Sequence, residues 1–127
     1  MKRILLIEDD SAERELFKVT LERAGYEVLE APNGEVGLQM FQRQPCEVVI
    51  TDIFMPEKEG LETILTLKKE YPSVKIIAIS GGGVRSRYAG KLGAETALQA
   101  AQEFGALRTL EKPIALKELV ATVKELF

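Results

Sequence analysis

Short runs of consecutive apolar residues alternate along this chain with longer segments whose apolar residues recur every three or four positions. No other feature restricts the fold as much, because period two marks strands and period 3.6 marks helices. Strands are expected at 4–7, 27–30, 48–52, 75–80 and 107–111. The first, third and fourth are apolar on successive positions, the pattern of strands buried on both faces of a parallel sheet, so they belong at its centre. The second is more polar and alternates, as an edge strand does.

Helices fill the intervals. The first, 11–24, opens on Asp10 or Ser11 as cap, carries Phe17, Leu21 and Ala24 on one face and closes at Gly25. The second, 33–41, is capped by Asn33 behind Pro32. A third, 60–70, sets Leu61, Ile64, Leu65 and Lys68 at helical spacing and must stop before Pro72. Gly81-Gly82-Gly83, Gly90 and Gly93 discourage a continuous helix, so a mobile loop is expected to about Gly93, with a helix over 94–104. The last helix, 115–127, places Leu116, Leu119, Val120 and Val123 on one stripe. Strands alternating with helices through short loops call for right-handed crossovers and helices on both faces of a parallel sheet, an α/β three-layer sandwich. At 127 residues, with no repeat or linker, the chain reads as one domain over 1–127.

Composition narrows the chemistry. Apolar residues at 46% and charged residues at 29% are globular proportions. The net charge is -3 and basic residues are dispersed, which argues against nucleic acid or an anionic membrane as partner. Cys46, the one cysteine, cannot form an internal disulfide and reads as an inert small residue; with an amino-terminal apolar run too short for a signal peptide, a cytoplasmic setting is expected. The absence of histidine removes imidazole bases and ligands, leaving carboxylates, lysine, hydroxyls, the thiol and the backbone.

In an open α/β sheet, ligands bind beyond the carboxyl ends of the strands. Strand 1 ends in Glu8-Asp9-Asp10, strand 3 in Asp52, strand 4 in Ser80 and strand 5 in Glu111-Lys112-Pro113. Carboxylates from neighbouring strand ends repel one another unless a cation neutralises them, so Asp9 and Asp52 call for a metal or a lysine. Oxygen ligands without imidazole or thiolate suit Mg²⁺. A carboxylate can attack phosphorus, given a metal and an ammonium to meet the developing charge; Lys112 is the plausible ammonium and Ser80 a hydroxyl donor to the new group. Taken singly, Asp10 reads as a helix cap, Glu111 as solvated surface, and Lys112 and Ser80 as surface and turn residues. The charged face of helix 1, with Glu13, Arg14, Lys18, Glu22 and Arg23, reads as solvated, with kinase docking as the alternative.

Together these residues resemble the receiver domains of two-component response regulators, of the single-domain chemotaxis-regulator type, along the full length. The matching pieces are Glu8-Asp9, Asp52-x-x-Met55-Pro56 with Gly60 beyond, Ser80, and Lys112-Pro113. The resemblance implies a flavodoxin-like (βα)5 fold with strand order 2-1-3-4-5. It implies Asp52 as phosphoacceptor, Glu8 and Asp9 as an acidic pocket for Mg²⁺, the Phe54 carbonyl as a further metal contact, Lys112 and Ser80 as phosphoryl contacts, and a cis peptide before Pro113. It also implies a histidine kinase or histidine phosphotransfer protein as donor and a downstream protein target. Receivers often dimerise through helices 4 and 5 or strand 5.

Three departures stand out. Thr109 occupies the place of the usual aromatic switch residue; the stretch from Ser80 to Lys112 is about ten residues longer than usual, a candidate output surface; and Phe54 and Gly82 offer no side chain to orient an attacking water, so slow hydrolysis is expected. A phosphorylation-independent adaptor of the same fold stays open as an alternative, and less favourably an aspartate-nucleophile phosphohydrolase. No output domain follows the last helix, so output is expected through a partner unless the sequence is a fragment.

Overall fold

The computed structural model describes residues 2–53, 59–80 and 93–127, side chains excepted at 59 and 93–97. In chain order the elements are β1 (Arg3–Ile7), α1 (Ser11–Arg23), β2 (Glu27–Ala31), α2 (Gly34–Arg43), β3 (Val48–Asp52), α3 (Glu59–Glu70), β4 (Lys75–Ser80), α4 (Gly93–Phe104), β5 (Arg108–Glu111) and α5 (Leu116–Leu126). All strand pairings are parallel, in the order β2-β1-β3-β4-β5. The three apolar strands are therefore central, and the more polar β2 is an edge, as the sequence requires.

Successive side chains of a strand point to opposite faces, so each central strand feeds two cores. Leu5 and Ile7 of β1, Val49 of β3, and Ile76 and Ala78 of β4 pack with Phe41 of α2, Ile64 and Leu67 of α3 and Ala101 of α4. Ile4 and Leu6, Val48 and Ile50, and Ile77 and Ile79 pack on the other face with Phe17 and Leu21 of α1 and Leu119, Val123 and Leu126 of α5. The result is the flavodoxin-like three-layer arrangement.

Local signals fix the helix ends. The Asp10 carboxylate accepts from the Ala12 and Glu13 N–H groups at 2.9 and 3.0 Å, and Gly25 takes φ +101 beyond the C-terminus of α1. Asn33 accepts from the Val36 N–H at 2.8 Å, which makes it the cap of α2 rather than its first residue. The stripe expected on the third helix is corrected: Leu65 faces solvent, and Thr63, Ile64 and Leu67 are the buried positions. Gly60 sets that rotation, since its α-carbon lies against the backbone of Asp52 and Ile53 and positions four and seven residues on must follow it inward. Leu116 is likewise at the margin of its stripe, and Leu126 completes it. The expected loop over 81–92, including Tyr88, lies outside the described residues. No helix among the described residues is long and apolar enough to cross a membrane.

Candidate functional site

The carboxyl ends of β1, β3 and β5 converge on one ammonium group. Lys112, immediately after β5, donates from Nζ to Glu8 Oε1 at 2.6 Å and to Asp52 Oδ2 at 2.8 Å, and also to Glu13 Oε2. Each partner is held by a different element: Glu8 follows β1, Asp52 ends β3 and Glu13 lies in the first turn of α1. The Lys112 N–H donates to the Ser80 carbonyl at 2.8 Å, tying the end of β5 to β4, and the Lys112-Pro113 peptide is cis. At the other strand end, Glu8 N–H donates to the Ala31 carbonyl at 3.1 Å and the Arg14 guanidinium donates to the Glu8 carbonyl at 2.7 Å.

Burial makes this cluster electrostatically costly. Glu8 and Asp52 are both buried, and withdrawing the Glu8 carboxylate from water favours its neutral form. Burial, then the hydrogen bond with Glu13 and the Asp52 charge, push the Glu8 carboxyl up to about 9 despite the opposing lysine. Burial disfavours the charged form of Lys112 too, yet the hydrogen bond and charge of Asp52, then Glu13 and Glu8, outweigh it and raise its pKa. For Glu13 burial acts upward, but its bonds with Glu8 and Lys112 prevail and lower it. The ammonium thus meets the sequence expectation that adjoining carboxylates need a cation. The upward shift of Glu8 favours its neutral form, which reduces the remaining excess of negative charge.

Glu8, Asp52, Ser80 and Lys112 lie where the strand-end reading put them. Asp9 is half-buried at the same strand end, but the carboxylate oxygens that approach within 4.8 Å of one another belong to Glu8, Glu13 and Asp52. The Phe54 carbonyl, with Met55 and Pro56, lies outside the described residues. Ser80 is fully buried, and its Oγ has no hydrogen-bond partner among the described residues. Such hydroxyls are uncommon in folded proteins. Asp10 and Glu111 behave as a cap and an exposed residue.

Glu13 is the site residue that sequence reasoning missed. Its place three residues after the Asp10 cap was the available signal, because the first turn of α1 rises from the same rim as the end of β1. The solvated reading of the helix face also fails for its neighbours: Arg14 and Lys18 bind Glu30 at 3.0 and 2.9 Å. Those bonds, Lys18 first, hold the Glu30 carboxyl below the usual range. Cys46 is buried and its thiol is pushed up to about 11 by that burial, the behaviour of an inert small residue.

Comparison with known proteins agrees with this fold. The family profile described as the response regulator receiver domain matches residues 4–124. A probable transcriptional regulatory protein of Picosynechococcus is 34% identical over 98% of this chain, which spans 48% of that relative's length. The response regulator receiver protein CpdR of Brucella abortus is 41% identical over 64% of this chain and 68% of its own. The sensor kinase CckA of the same organism is 37% identical over 97% of this chain, which covers 12% of it. Among solved structures, a receiver domain protein of Clostridium thermocellum superposes with a TM-score of 0.85 at 29% identity, covering 99% of this chain and 94% of that one. Chemotaxis protein CheY4 of Vibrio cholerae does so with 0.82 at 25% identity, covering 100% and 99%. With this fold, this rim of carboxylates around a lysine and a profile match over nearly its whole length, the chain belongs to the response regulator receiver domain family of two-component systems.

Proposed function

We propose that this receiver domain accepts a phosphoryl group on Asp52, from a phosphohistidine of a histidine kinase or phosphotransfer protein, in the cytoplasm. The observation that carries the reading is the Lys112 ammonium 2.8 Å from the Asp52 carboxylate at the rim where β1, β3 and β5 end. An Asp52 oxygen forms the new O–P bond as the P–N bond to the donor imidazole breaks, and the imidazole keeps that electron pair and takes a proton from solvent. Lys112 meets charge on the transferring oxygens, and the Ser80 hydroxyl, without a partner among the described residues, can donate to the bound group.

Receiver domains bind Mg²⁺ at an acidic pocket, and the donors here suit that ion. Glu8 and Asp52 present carboxylate oxygens within 4.8 Å of one another, which are hard ligands, and an octahedral shell of about 2.1 Å radius sets neighbouring ligands about 3 Å and opposite ones about 4.2 Å apart. We assign Glu8, Asp9 and Asp52 as holders, with the Phe54 carbonyl. Bound there, Mg²⁺ supplies positive charge to the phosphoryl oxygens.

Output runs through the β4–α4 segment and the α4-β5-α5 face to a downstream protein, with homodimerisation on phosphorylation as one form of readout. Thr109 takes less room than an aromatic ring, and an open groove of about 590 Å³ between α4 and β5 adjoins it, lined by Leu98, Gln99, Gln102 and Glu111. Incubation with Mg²⁺ and acetyl phosphate, read by intact mass, tests the assignment. An adduct in the wild type that is lost in Asp52→Asn supports it; steady turnover of the donor supports a phosphohydrolase, and no reaction supports an adaptor. The adaptor reading draws on the same ion pairs, which alone could fasten three strand ends together.

A further inference from the structure

An ammonium has three N–H donors, and those of Lys112 face three carboxylates. For Lys112 to hold an oxygen of a phosphoryl group on Asp52, one of these contacts must open. The three differ sharply in what opening would cost. Glu8 and Asp52 side chains are 2% and 1% exposed and sit on strand ends fixed by backbone hydrogen bonds, so turning either away would strand a charge or a polar group in the interior. Glu13 is 38% exposed and lies at the mouth, where rotation about its side-chain bonds delivers the carboxylate to water.

We propose that Glu13 is a positioning residue, a latch that holds Lys112 in the resting chain and yields its place to a phosphoryl oxygen. The proposal deepens the phosphoacceptor reading and rests on it. The latch occupies with a carboxylate oxygen the donor that the incoming group needs, so it competes with phosphorylation and disfavours the phosphorylated state. It acts on the incoming group through Lys112.

The test uses the full chain with Glu13→Gln, Glu13→Ala and Glu13→Asp, folding being verified by circular dichroism. With acetyl phosphate, the Asp52 oxygen bonds to phosphorus while the P–O bond to the acetyl group breaks and acetate departs with the pair, so no other reactant is needed. Glu13→Gln and Glu13→Ala are expected to phosphorylate faster, and to bind beryllofluoride more tightly, by roughly five- to tenfold, the scale of one ordinary, partly exposed hydrogen bond. Glu13→Asp keeps the charge but falls one methylene short of Lys112, and is expected to behave like the alanine variant. A field effect without contact would leave it at the wild-type rate, which overturns the latch. A second readout needs neither metal nor phosphate: the Lys112 ammonium protons should exchange with water faster in all three variants, and unchanged exchange overturns the proposal. If the wild type reacts and every variant matches it, only the latch falls. If the wild type takes no adduct, the phosphoacceptor reading fails and the latch with it.

Discussion

Replacing Gly60 with alanine strikes the joint between α3 and the strand that carries Asp52. A β-carbon at position 60 would lie 2.9 Å from the Ile53 carbonyl carbon and closer still to the Asp52 carbonyl oxygen and Ile53 Cα, whereas ordinary contact begins at 3.4 Å. These are backbone atoms of a fully buried strand end and cannot rotate aside. The start of α3 must therefore lift from β3, and Ile64 and Leu67 lose packing below it. Overpacking of this kind costs about 1–3 kcal/mol, against which alanine's helix propensity returns up to about 1 kcal/mol. A net loss of about 1–2 kcal/mol should lower the thermal midpoint by roughly 4–8 °C in a domain of this size. Urea unfolding followed by far-ultraviolet circular dichroism should show a lower midpoint at unchanged slope. Phosphorylation by acetyl phosphate should slow as well, because the same displacement moves Asp52 from Lys112. A Gly60→Ala protein as stable as the wild type would refute the close approach on which the site's geometry depends.

Other expectations follow from single groups. Glu8 is held near 9 when folded and titrates near 4.5 when unfolded, so its contribution to stability is complete below pH 4.5 and is lost as pH rises through about 9. In EDTA, wild-type urea midpoints should fall over that window more steeply than those of Glu8→Gln; parallel curves would remove Glu8 as the cause. Asp10→Ala removes two accepted backbone hydrogen bonds and should cost about 1 kcal/mol in chemical unfolding, with no loss meaning that α1 is capped by other groups. Gly105→Ala forces a side chain into φ +122 beside Lys68 and should cost about 1–2 kcal/mol; a neutral result would contradict that backbone conformation. Without a water-orienting side chain at Phe54 or Gly82, phosphorylated Asp52 should persist longer than in fast-cycling receivers, as loss of the adduct by intact mass would record.

Much of the fold is written locally. Consecutive apolar residues in β1, β3 and β4 can be buried only with helices on both sides, and Asp10, Gly25 and Asn33 mark helix boundaries through bonds within a few residues. The third helix resisted that reading, since Leu61, Ile64, Leu65 and Lys68 fit the period as well as the buried set does. Its rotation depends on Gly60 touching β3, a contact between segments. Helix 1 failed similarly: its charges look solvated until the sheet brings Glu30 beside Arg14 and Lys18.

The residue types at the strand ends, and hence the kind of chemistry available, were determined by sequence alone, because parallel topology carries every strand's carboxyl end to one rim. Only the tertiary structure decided that Glu13 joins Glu8 and Asp52 around Lys112, and that burial shifts the Glu8 carboxyl upward. Both depend on distances of a few ångströms between segments far apart in the chain and on exclusion of water, which local periodicity does not encode.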